Sequence, residues 1–78
     1  MPQLTLEDIV WQVYAEARPY VYNSEWIREL LEDLVSKVND ISSLKKMLED
    51  SIRSIDDATK RTDVNIYISY LERTQRRS

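Results

Sequence analysis

The chain has 78 residues, 11 basic and 14 acidic, for a net charge of −3, and it contains no cysteine, histidine or glycine. Without cysteine and histidine there are no disulfides, thiolate nucleophiles or imidazole ligands, and the acidic balance disfavours broad nucleic-acid binding by counterion release. Average usage would supply about 7% glycine, the residue on which phosphate-cradling loops and type I′ hairpins depend.

What remains reads as one all-α domain over residues 1–78 that must turn with Asn, Asp, Ser and Pro. So small a domain has little core of its own, and with disulfides and imidazole sites excluded the remaining aid is association. No apolar run approaches the roughly 18 residues of a membrane span and no signal-peptide pattern appears. These features predict a cytoplasmic protein with no membrane partner.

The first helix is predicted over residues 5–17. Thr5 and Asp8 approximate a capping box, with Leu4 and Ile9 at the positions of a hydrophobic staple. Leu6, Ile9, Val10, Val13, Tyr14 and Ala17 recur at helical spacing. Pro19 disfavours helical backbone at Arg18. Residues 19–22 then read as an extended connection, after which Asn23 or Ser24 caps a second helix. Tyr22 and Ile27 would make a second staple across that cap.

Between residues 27 and 55 the apolar positions form a long stripe. Ile27, Leu34, Ile41, Leu48 and Ile55 keep a seven-residue period, and Leu31, Val38 and Ile52 keep another that Lys45 interrupts. The stripe reads first as the core of an intramolecular bundle. Asn39, Asp40, Ser42 and Ser43 compete for backbone hydrogen bonds and favour caps and turns. They favour a break near 39–42 with a restart at Ser43, over one unbroken helix across 24–58. The fold class is therefore a small bundle of three or four helices.

The polar run 56–63 ends this region, and Thr62 or Asp63 is placed to cap the last element. Val64, Tyr67, Ile68 and Leu71 share a helical face, although Val64, Ile66, Ile68 and Tyr70 also alternate at strand spacing. The lack of a strand partner favours a helix. The predicted core comprises Ile9, Val13, Ile27, Leu31, Leu34, Val38, Leu48, Ile52 and Leu71.

No catalytic, cofactor or metal site is expected. Glu29, Glu32 and Asp33, and Asp56, Asp57 and Asp63, read as solvated acids, since calcium-loop spacing and its glycine are missing. The serines have no histidine base. The charge is unevenly placed, however. Residues 1–59 hold twelve acids and six bases (net −6), whereas residues 60–78 hold five bases and two acids (net +3). Arg73, Arg76 and Arg77, in a short basic tail at 73–78, complement the negative end of the last helix or touch a partner.

The aromatics are two Trp and five Tyr, with no Phe. Each carries a polar handle suited to half-buried or interfacial positions. The candidate partner-binding residues are Trp11, Tyr20 and Tyr22, the basic residues Arg73, Arg76 and Arg77, and the stripe's open flanks at Val35, Leu44 and Met47. The expected function is a non-enzymatic helical interaction module, such as a small adaptor, inhibitor or accessory subunit, that binds a protein partner or itself. A symmetric homodimer would cover the flanks and set Lys45 or Lys46 against Glu49 or Asp50 of its mate.

The alternative is DNA binding. With residues 24–58 as one helix, the short–long–short order would resemble a histone fold, and residues 58–64 look like the basic loop before a histone's last helix. That resemblance implies a DNA-binding dimer using Lys60 and Arg61 with Arg73, Arg76 and Arg77. The acidic body and the scarcity of Lys and Arg on the first helix depart from the pattern.

Overall fold

Thr5 opens the first helix through a reciprocal pair of bonds. Its hydroxyl accepts from the Asp8 backbone N–H at 3.1 Å, and the Asp8 carboxylate accepts from the Thr5 N–H at 3.2 Å. The capping box read from the sequence is formed. In this computed structural model, which describes residues 5–77, the chain builds four helices, with no strand among the described residues. They are α1 (Leu6–Ala17), α2 (Ser24–Val35), α3 (Ile41–Ser54) and α4 (Ala58–Arg77). Leu4 of the proposed first staple lies outside the described residues.

The link from α1 to α2 differs from the expected extended segment. Arg18, Pro19 and Tyr20 form a single 3₁₀ turn, and Arg18 keeps helical backbone (φ −49°, ψ −44°) despite the following proline. Its N–H still reaches the Tyr14 carbonyl, and Pro19 needs no donor at the second position of the new turn, inside the stretch whose N–H groups have no partner within the turn. Extended backbone begins only at Val21. Asn23 occupies the N-cap of α2 but makes no side-chain cap bond there. Tyr22 is 81% exposed, so the second staple is not formed.

The central stripe is broken, at residues 36–40. The Ser36 hydroxyl donates to the Asp33 carbonyl at 2.7 Å, and the Lys37 N–H donates to the Leu34 carbonyl at 2.9 Å, closing α2. Extended Asp40 then caps α3, its carboxylate accepting the Ser43 N–H at 2.7 Å. That bond, and the Ser43 hydroxyl beside it, hold the Asp40 carboxyl below the usual carboxylate range. The restart falls at Ile41, two residues earlier than expected, and the long helix behind the histone likeness does not form. No described residue has a positive φ, so α1, α2 and α3 end without the left-handed residue that glycine usually supplies.

α4 also starts earlier than expected. Asp57, not Thr62 or Asp63, caps it by accepting the Thr59 and Lys60 N–H groups at 2.8 and 3.2 Å. The bonds to Lys60 and then Thr59 lower the Asp57 carboxyl. The Arg61 guanidinium donates to the Ile55 carbonyl at 3.0 Å, satisfying an acceptor where α3 stops. With 20 residues, α4 is about 30 Å long and is the longest helix of the four.

The core joins α1 (Val10, Val13, Ala17), α2 (Ile27, Leu31, Leu34), Val38, α3 (Leu44, Leu48) and α4 (Val64, Tyr67, Ile68, Leu71). Burying each such aliphatic side chain fully contributes about 1.5–3 kcal/mol. Ile9 and Ile52, expected inside, are only partly buried against it. Leu44, expected on an open flank, is fully buried. The break re-phases α3, so Leu44 and Leu48 point inward, one turn apart. Lys45, which interrupts the heptad pattern, pairs with Glu72 of α4 at 3.2 Å. Residues from both halves of the stripe meet in one core, with Ile41, Met47, Ile52 and Ile55 partly buried against it. The radius of gyration, 11.9 Å, is near the roughly 11.5 Å of a compact domain of this length.

Candidate functional site

Three residues of α4 at helical spacing, Asp63, Tyr67 and Tyr70, form one stripe of polar-headed side chains. Asp63 is fully buried although it is a carboxylate. Its oxygens accept the Tyr22 N–H at 2.9 Å, the Asn23 N–H at 2.7 Å and the Asn23 side-chain amide at 3.0 Å. A buried charge persists only when it is well bonded, and three donors meet that need. One turn on, the Tyr67 hydroxyl donates to the Val10 carbonyl at 2.9 Å and ties α4 to α1. Burial pushes the Tyr67 phenol up from its ordinary value.

The next member of the stripe reaches the surface. Tyr70 stacks on Tyr20 with ring centroids 5.8 Å apart and planes 16° from parallel. The Arg73 guanidinium lies over the other partner of that stack, 5.3 Å from the Tyr70 centroid. Tyr20 is 61% exposed and Arg73 is exposed. Desolvation, then the neighbouring Tyr20, raises the Tyr70 phenol, and the Glu16 carboxylate adds to this while Arg73 opposes it. The result is a fixed ladder of guanidinium, phenol and phenol. Such stacking exceeds simple area burial by about 0.5–1.5 kcal/mol per aromatic pair.

Tyr22 meets α4 through its backbone at Asp63, two turns or about 10 Å along the helix from Tyr70. Tyr22, Asn23, Ser24, Glu25, Trp26 and Lys60 line a shallow recess there. The Lys60 ammonium sits 5.1 Å from the Trp26 ring centroid. Nothing in the sequence signals that pair. The Tyr70–Arg73 spacing, by contrast, is legible on any helix, although its third member, Tyr20, is not.

The other expected site residues are scattered. Trp11 is half-buried and meets Tyr14 edge-on at 5.9 Å. Val35 is half-buried beside a recess formed with Leu6, Val38 and Asn39. Met47 is half-buried against the core, and Leu44 is inside it, where it contacts no partner. Arg76 is exposed and pairs with Glu72 at 3.5 Å. Arg77 closes α4, and its side chain lies outside the described residues. Of the nine candidates, the structure brings together Tyr20 and Arg73, with Tyr22 nearby.

Among the described residues no cluster of three acids is arranged to hold a metal ion. None of the described helices is long and apolar enough to cross a membrane.

The sequence profile of the MJ1579 family matches residues 5–76. The chain belongs to the MJ1579 family. Neither a curated protein nor a solved structure matches it. The match begins at the Thr5 cap and takes in every helix but for the last residue of α4, so the stripe on α4, Tyr20 and Tyr22 all fall within the MJ1579-family region.

Proposed function

We propose that this protein is a non-enzymatic helical interaction module that binds a protein partner on the face carrying Tyr20, Tyr22 and Tyr70. The observation that carries the reading is the placement of Tyr20 and Tyr22. Among the described residues they are the large hydrophobic side chains left exposed, 61% and 81%, yet the Tyr22 backbone is held by a buried carboxylate and the Tyr20 ring is stacked on Tyr70. Rigid, exposed tyrosines supply contact area at low entropic cost. Tyrosine is also enriched where interfaces concentrate their energy.

A photo-crosslinking amino acid at position 20 or 22, in the full chain expressed in its native cells, tests this reading. A covalent adduct with a protein is expected. No protein adduct from either position, with crosslinker incorporation verified, sinks it.

DNA binding is the weaker reading. Of the bases it would use, Lys60 lies over Trp26, Arg61 bonds to the Ile55 carbonyl and Arg76 pairs with Glu72. Much of the positive charge near the last helix is already engaged.

A further inference from the structure

The ladder on α4 carries an unused charge. Arg28, Lys37, Lys45 and Arg76 each pair with a carboxylate. Arg73 does not: its recorded contact is with the Tyr70 ring, and no carboxylate among the described residues pairs with it. Arg18, in the same turn as Tyr20, is exposed and likewise unpaired among the described residues. Two guanidinium groups therefore belong to the segments that carry two stacked phenols, in a chain whose first 59 residues are otherwise net acidic. Stacking on Tyr70 leaves the guanidinium edge, where its donors lie, open to a planar acceptor.

Building on the interaction reading, we infer that Arg73, Tyr70 and Tyr20 dock an acidic peptide segment of the partner. A carboxylate of that segment takes the Arg73 fork, and an apolar or aromatic side chain covers the open face of Tyr20. Charge complementarity favours a peptide over a nucleic-acid strand. A strand lays down a phosphate at every nucleotide, whereas Lys60, Arg61 and Arg76 are already engaged. The ladder is already stacked in the free protein, so little side-chain freedom is lost on binding.

The test is an NMR titration of the full chain with a random glutamate–tyrosine copolymer, and separately with an oligothymidylate, at the same salt concentration. Signals of the Arg73 Nε–H and of the Tyr20 and Tyr70 rings should shift with the copolymer. Arg73→Gln should weaken that binding by about tenfold or more, the usual effect of losing a charge-assisted hydrogen bond. Arg73→Lys should restore it only partly, because lysine keeps the charge without the planar fork. Circular dichroism should show both variants folded, since Arg73 is exposed.

The inference is overturned if the copolymer leaves these signals unmoved at millimolar concentration, or if Arg73→Gln binds equally well. It is also overturned if the oligothymidylate binds more tightly, or if the same signals shift on concentrating the protein alone. The two readings fail separately. Protein adducts from position 20 that form equally in the Arg73→Gln chain would retain the interaction module and remove its acidic partner.

Discussion

Asp63 of α4 anchors Asn23 at the entry to α2. Asn23 occupies the N-cap of that helix, and its side-chain amide and its backbone N–H both donate to the Asp63 carboxylate, at 3.0 and 2.7 Å. The anchor comes from a helix forty residues further along the chain. The entry to α2 is thus fixed by α4, and Tyr20 and Tyr22 are fixed with it.

Replacing Asp63 is therefore expected to cost far more than a surface carboxylate would. Asp63→Asn keeps the shape but turns an amide donor toward three donors. With unsatisfied buried groups costing about 1–3 kcal/mol each, a loss of about 2–4 kcal/mol is expected in urea denaturation. An unchanged midpoint would remove Asp63 from its central place.

Leu44→Ala should destabilise as severely as Leu34→Ala, by about 2–5 kcal/mol each, because both side chains are buried. A homodimer with Leu44 at its interface makes the opposite forecast, that the dimer dissociates while each chain keeps its stability. Thermal or urea unfolding of both variants at several protein concentrations tells the two apart.

Tyr67 sets a limit on the alkaline side. An unfolded tyrosine ionises near pH 10, and burial raises this one when folded. Below about pH 10 both states keep the proton and the buried phenol's contribution is whole. Above it the unfolded state releases its proton first, so stability falls by about 1.4 kcal/mol per pH unit for this group. Tyr67→Phe should cost about 1 kcal/mol at neutral pH, through the lost bond to the Val10 carbonyl. It should fall less steeply above pH 10, so the two stability curves converge. The carboxyls of Asp40 and Asp57, both lowered by cap bonds, act at the other extreme. Their contribution holds above the ordinary carboxylate range and is lost as pH falls through their lowered values.

In solution at high micromolar concentration the mass should be near 9.3 kDa, that of one chain. Leu44, which the dimer would set on an open flank, is buried, and Lys45 is paired to Glu72 within the chain. Twice that mass by sedimentation would return the dimer to consideration.

Local features were legible in the sequence and long-range ones were not. The Thr5–Asp8 box and the turn-forming run at Asn39 and Asp40 act within a few residues, so spacing alone exposes them. Leu44 was misplaced because the heptad phase crosses Ile41 undisturbed, which concealed how the turn at 36–40 re-phases the next helix. Asp63 was expected to cap the last helix, but it lies inside α4 and anchors the entry to α2. Its chemistry was readable, but no sequence spacing links position 63 to position 23. Tyr70 and Arg73 share a helical face by count, whereas Tyr20 reaches them only through the fold.

The reliance on α4 has a bearing on how the protein is made. α4 supplies Val64, Tyr67, Ile68 and Leu71 to the core, together with Asp63 and the tie to Val10. Until residues 58–77 have left the ribosome, α1 has α2 to pack on but lacks the helix it meets most extensively. The nascent chain therefore carries an open apolar face on α1 until α4 closes it.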